Sequence, residues 1–344
     1  MQHPLTILAL TAAMISCTAN NMTVNDLPQI PDPAYAKGVS APFCGVADGT
    51  LIVAGGANFP DKPLLEGGAK KVYDDIWALI GGEWVRAGHL PDSVAYGATF
   101  QVPGGLVLAG GSVRGVPSDK VYLLSLSGNE ARLEELPSLP VGIAEAAAAS
   151  LDGRLYLTGG SGSDAIYSCL AGEYLWEKVA TLPMPLVQPL AFATGENLYI
   201  WGGFNPRTLE VPSCGWRYSG GRFEPCPDIP DGGTFTGSAS TVLPDGSFMV
   251  VGGVNRDIFA RALHNTPEDR IPYLSKEPAE YRFRSDVFVF DPKTCSWSTF
   301  ASFPECALAG PGVTLLGDSI VVCGGEIKPG VRSPRLFKIP VTGR

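Results

Sequence analysis

The sequence predicts an all-β fold built from six copies of one four-stranded unit. A double glycine follows a short apolar run six times, from "LIVAGG" at residues 51–56 to "IVVCGG" at residues 320–325. A hydrophobic residue followed by proline precedes each pair, and in four of the six units the proline lies 19 or 20 residues before the first glycine. The chain also contains 42 glycines and 30 prolines, which favours many turns over long helices.

Each repeat has room for four short strands. The run before each double glycine has the length of a strand and is bounded by turn residues such as Asp152-Gly153. The glycines allow close backbone approach where strands crowd together. A loop, an outer strand and a last strand follow, and this last strand contains Trp84, Trp176 and Trp297 in three of the units. A unit of this kind cannot bury its face alone, so neighbouring units must stack around an axis.

The two ends of the chain complement each other. Only one strand, "RLFKIPV", remains after the sixth double glycine, so the last unit lacks its outermost strand. The segment "MTVNDLPQIP" at residues 22–31 matches "WEKVATLPMP" at residues 176–185, which ends a complete unit. We therefore expect the strand near Met22–Leu27 to pair with the strand near Leu336–Val341, which completes the sixth unit and leaves few free edges.

One unit contains a large insertion. The fifth and sixth double glycines are 72 residues apart, whereas the other spacings run from 43 to 55 residues. The extra segment, residues 254–286, holds more charge than its surroundings, and Thr266-Pro267-Glu268-Asp269 is typical of a helix start. The sequence predicts a partly helical insertion that is either a functional flap or lid or a decorative loop.

The first residues predict a targeting segment. The apolar run Leu5–Ile15 is too short to span a bilayer and ends in Met14-Ile15-Ser16-Cys17, which resembles a bacterial lipoprotein box. In such a box the cysteine becomes the lipidated first residue of the mature chain. We expect residues 1–17 to be a signal segment and the exported, periplasmic protein to carry lipid at Cys17, with ordinary secretion as the alternative. Residues 22–344 then form a single domain.

Composition argues against several classes of function. The net charge is −9 and no Lys/Arg cluster occurs, which argues against nucleic acid as a partner and leaves a lipid at Cys17 as the expected membrane contact. With three histidines and no CxxC or HExxH motif, we expect no metal and no cofactor. Seven cysteines follow Cys17, so at least one is free, and Cys214 and Cys226 either pair across a hairpin or are buried thiols.

Polar side chains that follow the double glycines are the candidates for a functional site. Glu326 and Arg332 lie six residues apart in "GGEIKPGVRS", after the last double glycine. A loop arginine suits an anionic ligand, and a nearby carboxylate suits proton transfer. The alternative is a surface ion pair, which contributes little to stability.

The repeats resemble kelch repeats, the blades of β-propellers, and "GGEIKPGVRS" resembles the catalytic loop of bacterial N-acetylneuraminate epimerases, also called sialic acid mutarotases. The insertion borders "GGVNRDIF" and "YRFRSDVFVFDPKTCSWS" resemble those of the same family, as do "AGGANFP", "KKVYDDIW" and "AYGATF" in other blades. The Glu–Arg loop lies in the last blade, which is typical of the cyclically permuted mutarotase branch. A closed ring can be cut between different blades without loss of its contacts.

The resemblance implies a six-bladed kelch β-propeller and an exported isomerase that interconverts the α and β anomers of N-acetylneuraminate. It implies that Glu326 is the general acid and base for ring opening and that Arg332 clamps the substrate carboxylate. Contacts with the sugar are expected from four further residues, Asn58, Tyr96, Asn255 and Arg256, the last on its loop position alone.

Two other functions stay open on the sequence. The first is a propeller that binds acidic glycans without catalysis, which needs the arginine but not an acid–base glutamate. The second is a kelch protein-interaction module, for which exposed aromatic residues on the loop face are expected.

Overall fold

A computed structural model describes residues 22–341 of the chain. Six antiparallel sheets of four strands each account for most of its regular structure, which matches the number of repeats. The predicted signal segment and Cys17 lie outside the described residues. No helix within residues 22–341 is long and apolar enough to cross a membrane.

The sheets are numbered 1 to 6 in the order of their first strands. Sheet 1 contains Phe43–Ala47, Thr50–Ala54, Asp75–Ile80 and Glu83–His89. Sheet 2 contains Ala98–Val102, Gly105–Ala109, Val121–Ser127 and Glu130–Leu136. Sheet 3 contains Ala147–Leu151, Arg154–Thr158, Ala165–Leu170 and Glu177–Thr181.

The later sheets follow the same plan. Sheet 4 contains Val187–Thr194, Asn197–Phe204, Gly215–Ser219 and Arg222–Cys226. Sheet 5 contains Ser238–Val242, Phe248–Gly252, Asp286–Asp291 and Ser296–Ser302. Sheet 6 contains Gly312–Leu316, Ser319–Cys323, Leu336–Pro340 and Asn25–Asp26.

The pairing predicted for the two chain ends is present in sheet 6. Asn25 pairs with Lys338 and Asp26 pairs with Phe337 in antiparallel register. The N–H of Leu27 donates to the carbonyl of Leu336 at 2.8 Å, which extends this ladder by one bond. The outermost strand of the last sheet therefore comes from the start of the described chain.

The first strands of the six sheets lie side by side. Each contacts the first strand of the next sheet along the chain, and Gly312–Leu316 of sheet 6 contacts Phe43–Ala47 of sheet 1. Residues of all six first strands also line one shared cavity. Apolar side chains fill the spaces between neighbouring sheets, as with Val107 of sheet 2 and Leu157 of sheet 3, which are buried in one cluster.

Five of the six double glycines connect their sheet to the next through one recurring hydrogen bond. The N–H of Gly325 donates to the carbonyl of Val39, in the segment that enters sheet 1, at 2.8 Å. The same bond recurs at four other pairs, from Gly56 to Val94, Gly111 to Ile143, Gly160 to Leu186 and Gly253 to Leu308. The first glycine of every pair has a left-handed φ between 63° and 73°. At Gly110 a side-chain methyl group would overlap the carbonyl oxygen of Ile143, so this position admits only glycine.

The insertion is partly helical, as predicted. It contains the helices α1, Arg256–Ala262, and α2, Arg270–Leu274. The carboxylate of Asp269 accepts a hydrogen bond from the N–H of Thr266 at 2.9 Å, which confirms the predicted helix start. Short 3₁₀ turns occur at Pro33–Tyr35, Leu64–Glu66, Pro230–Gly232, Pro267–Asp269, Pro278–Tyr281 and Pro304–Cys306.

Further short strands lie in the loops between the sheets. They are Ala57–Asn58 with Lys71–Val72, Val94–Ala95 with Ser112–Val113 and Val116–Pro117, and Glu326–Lys328 with Val331–Arg332. The cysteines within residues 22–341 are free thiols, Cys214 and Cys226 included. The register explains this pair, because Gly215 and not Cys214 lies opposite Cys226.

We predict that Gly110→Ala destabilises the fold far more than Gly115→Ala. Both glycines have a left-handed φ, 65° and 82°, so either substitution adds backbone strain of about 1 kcal/mol. Only Gly110 contacts the next sheet, whereas Gly115 has open space around it. Overpacking should bring the loss at Gly110 to about 3 kcal/mol. Urea unfolding followed by tryptophan fluorescence measures both variants, and equal midpoints would contradict the tight contact.

Candidate active site

Glu326 and Arg332 face each other across a short hairpin. The strands Glu326–Lys328 and Val331–Arg332 pair with Glu326 directly opposite Arg332. Pro329 and Gly330 form the turn, and Gly330 has a φ of 82°, the left-handed value that glycine supplies at the third position of a type II turn. The register shifts between Glu326 and Lys328, and this irregularity brings residues six apart opposite each other, whereas a regular hairpin with this turn would oppose residues five apart.

The guanidinium of Arg332 holds the Glu326 carboxylate. Its Nη1 donates to Oε1 of Glu326, and the N–H of Gly330 donates to the same oxygen at 3.3 Å. Arg332 Nε donates to the carbonyl of Ala57 at 3.2 Å, and the guanidinium carbon lies 5.0 Å from the centroid of the Phe59 ring. The Arg332 side chain is only 2% exposed, against 26% for Glu326. Glu326 is therefore the member of the pair that reaches solvent.

This burial corrects the idea of an exposed loop pair that matters little for stability. A guanidinium that is almost completely buried has lost its hydration, and its charge is compensated by Glu326 and the Ala57 carbonyl. Removal of one partner from a buried pair leaves the other charge uncompensated, which is strongly destabilising.

Glu326 lies between two cavities. The mouth cavity, of about 380 Å³, is found where the first strands begin, and Tyr96 and Glu145 line it. The insertion cavity, of about 640 Å³, lies between the hairpin and the insertion, and Lys70 and Arg270 line it. Both volumes are in the range of small-molecule sites. Glu326 contributes to the wall of each cavity.

The insertion forms a wall of this site. Tyr273 of α2 lines the insertion cavity, where burial raises its pKa to about 12, with the neighbouring Tyr281 and the negative charge of Glu326 adding to the effect. The ammonium of Lys328 donates to the carbonyl of Lys276 at 2.8 Å. The segment expected to be either a lid or a decorative loop thus packs against the hairpin that carries Glu326.

Tyr96 is the predicted substrate contact that lies beside Glu326. It lines the mouth cavity, and its hydroxyl accepts a hydrogen bond from Lys70 Nζ at 3.1 Å. The Lys70 ammonium also lies 5.1 Å from the centroid of the Tyr96 ring. This contact connects the two cavities, because Lys70 belongs to the insertion cavity.

Asn58 lies beneath the site. Its side chain is completely buried, and its Nδ2 donates to the carbonyls of Ala34 at 2.9 Å and Gly38 at 2.8 Å. Its Oδ1 accepts from the Tyr73 hydroxyl at 2.8 Å. The amide lines neither the mouth cavity nor the insertion cavity, so this geometry gives it a role in bracing the loops.

Asn255 and Arg256 also lie apart from Glu326. Asn255 caps α1, since its Oδ1 accepts from the N–H of Ile258 at 3.1 Å. Arg256 Nε donates to the carbonyl of Val211 at 2.8 Å. Both residues line a separate polar cleft together with Asp231. The structure therefore does not bring these two predicted contacts together with the hairpin.

Sequence reasoning missed several side chains that line the two cavities. They are Lys70, Glu145, Gln188, Arg270 and Tyr273. They belong to different repeats and to the insertion, and none lies within a repeated motif. The one sequence feature that could have indicated them is the pair of adjacent lysines in "KKVYDDIW", which lies in the loop after the first double glycine.

One group within residues 22–341 has the composition of a metal site, namely Asp74, Asp75 and His89. Oxygen Oδ1 of Asp75 already lies 3.0 Å from Arg86 Nε, so a cation of the protein neutralises it. None of the three residues lines the mouth cavity or the insertion cavity. This group therefore has no geometric connection with Glu326.

Comparisons with known proteins agree with the resemblance. The N-acetylneuraminate epimerase family model matches residues 9–133 and 136–342. The N-acetylneuraminate epimerase of Haemophilus influenzae (strain PittEE) is 27% identical over 219 residues, which cover 59% of this chain and 58% of that protein. The Yersinia enterocolitica enzyme of that name is 26% identical over 249 residues, 64% of this chain and 63% of the relative.

A third relative and a solved structure extend the comparison. The Brucella suis N-acetylneuraminate epimerase is 37% identical over 121 residues, 32% of this chain and 31% of that protein. The solved structure of YjhT has 25% sequence identity and a TM-score of 0.54, and the match covers 61% of this chain and 66% of that one. The chain thus spans less than two thirds of the length of the curated relatives that it matches.

We predict that Arg332→Ala lowers the stability of the fold by about 3 kcal/mol, because it leaves a cavity in place of a buried side chain and removes the donor to the Ala57 carbonyl and the Glu326 carboxylate. Lys120→Ala is the control. It also removes a cation from an ion pair, with Glu135 at 2.6 Å, but both of those side chains are about half exposed. Solvent screens such a pair, so this variant should unfold close to wild type. Thermal unfolding by circular dichroism compares the two, and equal midpoints would show that burial of Arg332 adds nothing.

Proposed function

The chain belongs to the N-acetylneuraminate epimerase family, and on that premise we propose that it is an isomerase which interconverts the α and β anomers of N-acetylneuraminate. The observation that carries the proposal is the hairpin, in which a buried guanidinium holds a partly exposed carboxylate at the junction of two cavities. The position of this hairpin in the last sheet favours the cyclically permuted mutarotase branch.

In this proposal the six sheets are the blades of a closed propeller. Two observations support closure. The first strand of sheet 6 contacts the first strand of sheet 1, and the N-terminal strand completes sheet 6. A closed ring holds the loops of all six blades around one mouth, and this places residues of distant repeats beside Glu326.

The reaction needs two proton transfers. In its ring form the sugar is a hemiketal with a carboxylate on the anomeric carbon. Opening removes the proton of the anomeric hydroxyl and delivers one to the ring oxygen, and this yields the open keto acid. Attack on the other face of the ketone by the hydroxyl group that formed from the ring oxygen, with the protons returned, gives the other anomer. No atom is gained or lost, so one group that alternates between base and acid is enough.

Glu326 has the geometry for that role. Both of its protein donors, Arg332 and Gly330, reach Oε1. Within residues 22–341 no donor bonds Oε2, so this oxygen is available to take the proton of the anomeric hydroxyl. The resulting carboxylic acid can then protonate the ring oxygen, and the guanidinium keeps the group in place throughout.

We propose that the role predicted for Arg332, the contact with the substrate carboxylate, is shared with other cations. Its Nε and Nη1 already bond Ala57 and Glu326, and almost none of the side chain is exposed, so it positions Glu326. Lys70 and Arg270 are exposed cations that line the insertion cavity beside Glu326. We assign to them the contact with the substrate carboxylate, assisted by the charge of Arg332.

We predict that Glu326→Gln loses mutarotase activity by about 100-fold or more while it still binds the sugar, because the amide cannot take or give a proton. The amide oxygen still accepts from Arg332, but the buried guanidinium loses its counter-charge, so circular dichroism at the assay temperature checks that the variant is folded. The assay is a proton NMR time course on freshly released α-N-acetylneuraminate. Glu305→Gln is the matched control, because that carboxylate pairs with Arg335 at 3.4 Å in the same region of the chain and lines neither cavity.

The outcomes separate the candidate functions. A near-normal rate in Glu326→Gln would show that Glu326 is not the proton carrier. Binding by the wild type without any acceleration would instead favour the propeller that binds acidic glycans without catalysis.

We also propose that the protein is exported and carries lipid at Cys17, on the basis of the apolar run and the lipoprotein-like box. Cys17→Ala should move the protein from the membrane fraction to the soluble exported fraction, because it removes the acceptor of the lipid. Cys214→Ala, at an exposed thiol, is the control and should stay in the membrane fraction. A Cys17→Ala protein that remains bound to membranes, or a wild type found in the cytoplasm, would contradict the proposal.

A further inference from the structure

Every sheet begins with a residue in the left-handed conformation. The last residue before each double glycine pairs with a residue of the first strand, and the left-handed residue lies two positions before that partner. In sheet 1, for example, Ala54 pairs with Phe43, and Ala41 is the left-handed residue. The six residues are Ala41, Tyr96, Glu145, Gln188, Gly237 and Gly310, with φ between 53° and 72°. Backbone N–H groups join neighbouring members through bonds of 2.7–2.9 Å, from Ala41 to Gly310, Tyr96 to Ala41, Glu145 to Tyr96, Gln188 to Glu145 and Gly310 to Gly237.

Glycine is the natural residue for these positions, and sheets 5 and 6 use it. Side-chain space does not explain that choice, because a methyl group at Gly237 or Gly310 would approach no atom closer than 3.4 Å. The backbone conformation is the reason, since left-handed φ is unfavourable for other residues. Sheets 2, 3 and 4 nevertheless carry Tyr96, Glu145 and Gln188 there. Strained residues of this kind concentrate at functional sites, where their side chains are needed.

The side chain of Glu145 is fixed by two donors. Ser161 Oγ donates to its Oε2 at 2.7 Å, and Gln188 Nε2 donates to its Oε1 at 2.8 Å. The group is half-buried on the wall of the mouth cavity, which Glu326 also lines. A carboxylate oxygen can accept two hydrogen bonds, and each oxygen of Glu145 receives one from the protein, so both can accept another from a ligand. The arrangement is a rigid, negatively charged acceptor for hydroxyl groups.

The distribution of charge around the cavities favours one orientation of a bound acidic sugar. Lys70 follows the double glycine of sheet 1, Arg332 that of sheet 6, and Arg270 belongs to the insertion. Glu145 and Gln188 begin sheets 3 and 4, which are two or three places away from sheets 1 and 6 in the order of neighbouring first strands. An acid therefore turns its carboxylate toward the cations, and its hydroxyl groups then face Glu145, which would repel the carboxylate.

We infer that Glu145, held by Ser161 and Gln188, is a second substrate-binding residue, which accepts hydrogen bonds from hydroxyl groups of the sugar on the side of the mouth cavity away from the hairpin. The inference rests on the proposed function, because it assigns the same ligand to the same site. It explains why a residue that strains the backbone occupies a position where glycine fits.

The test uses the conflict between strain and binding in the full-length protein. Glu145→Gly relieves the left-handed backbone and removes the acceptor, so its thermal midpoint should equal or exceed that of wild type. Its KM for N-acetylneuraminate should rise about 10-fold or more, the usual scale for a lost charge-assisted hydrogen bond, while kcat changes less than about threefold. Glu145→Gln keeps the size and the backbone and should show a similar rise in KM.

Ala41→Gly is the matched control. It relieves the same backbone strain in sheet 1 and removes only a methyl group, so its midpoint should equal or exceed that of wild type and its KM should not change. A wild-type KM in both Glu145 variants overturns the inference. A midpoint of Glu145→Gly several degrees below wild type also overturns it, because Glu145 would then serve the fold.

The inference and the proposed function fail separately. If the wild type does not accelerate mutarotation, the proposed function fails, and titration calorimetry with N-acetylneuraminate still tests Glu145. In that case Glu145→Gly must weaken binding about 10-fold, and an unchanged Kd or an absence of binding by the wild type overturns the inference. If the wild type accelerates mutarotation and the Glu145 variants match it in KM, only the inference about Glu145 is wrong.

Discussion

The hydrogen bond from the second glycine of a pair to the segment that enters the next sheet is the contact on which the arrangement of the site depends. It requires a left-handed backbone and the absence of a side chain at the first glycine, and five of the six pairs form it. The bond from Gly325 to Val39 joins the last sheet to the first. Because Glu326 follows Gly325 directly, the same bond fixes the start of the hairpin that carries the carboxylate.

The hairpin separates two tasks that a single exposed ion pair could not perform. Arg332 is buried between the Ala57 carbonyl and the Phe59 ring, where it holds the carboxylate and keeps water away from one side of it. Glu326 lines both cavities, and both of its protein donors within residues 22–341 reach the same carboxylate oxygen. The insertion contributes Arg270 and Tyr273 to the wall of the insertion cavity, which Glu326 also lines. The extra residues between the last two double glycines therefore form part of the same site.

Several residues that line the cavities depart from the usual preferences for burial and backbone conformation. A buried guanidinium and left-handed residues other than glycine are both unfavourable for folding on their own. Left-handed residues other than glycine occur in several parts of the described chain, and three of them, Tyr96, Glu145 and Gln188, line the mouth cavity, while Arg332 lines the insertion cavity. Contacts between sheets supply the compensating stability, since the residues of the mouth are bonded through their backbones to neighbouring sheets. Such local conflicts are expected at sites that need a fixed ligand geometry.

The sequence by itself determined the repeated architecture. The number of units, the pairing of the chain ends, the helical insertion and the Glu326–Arg332 pair all follow from strand periodicity, turn residues and spacing, which act over short stretches of chain. Tertiary structure decided which polar residues share a cavity. It placed Asn58 in the interior and Asn255 in another cleft, and it brought Lys70 and Glu145 to the walls around Glu326. No local pattern encodes these positions, because they depend on which sheets become neighbours and on how the insertion folds back over the hairpin.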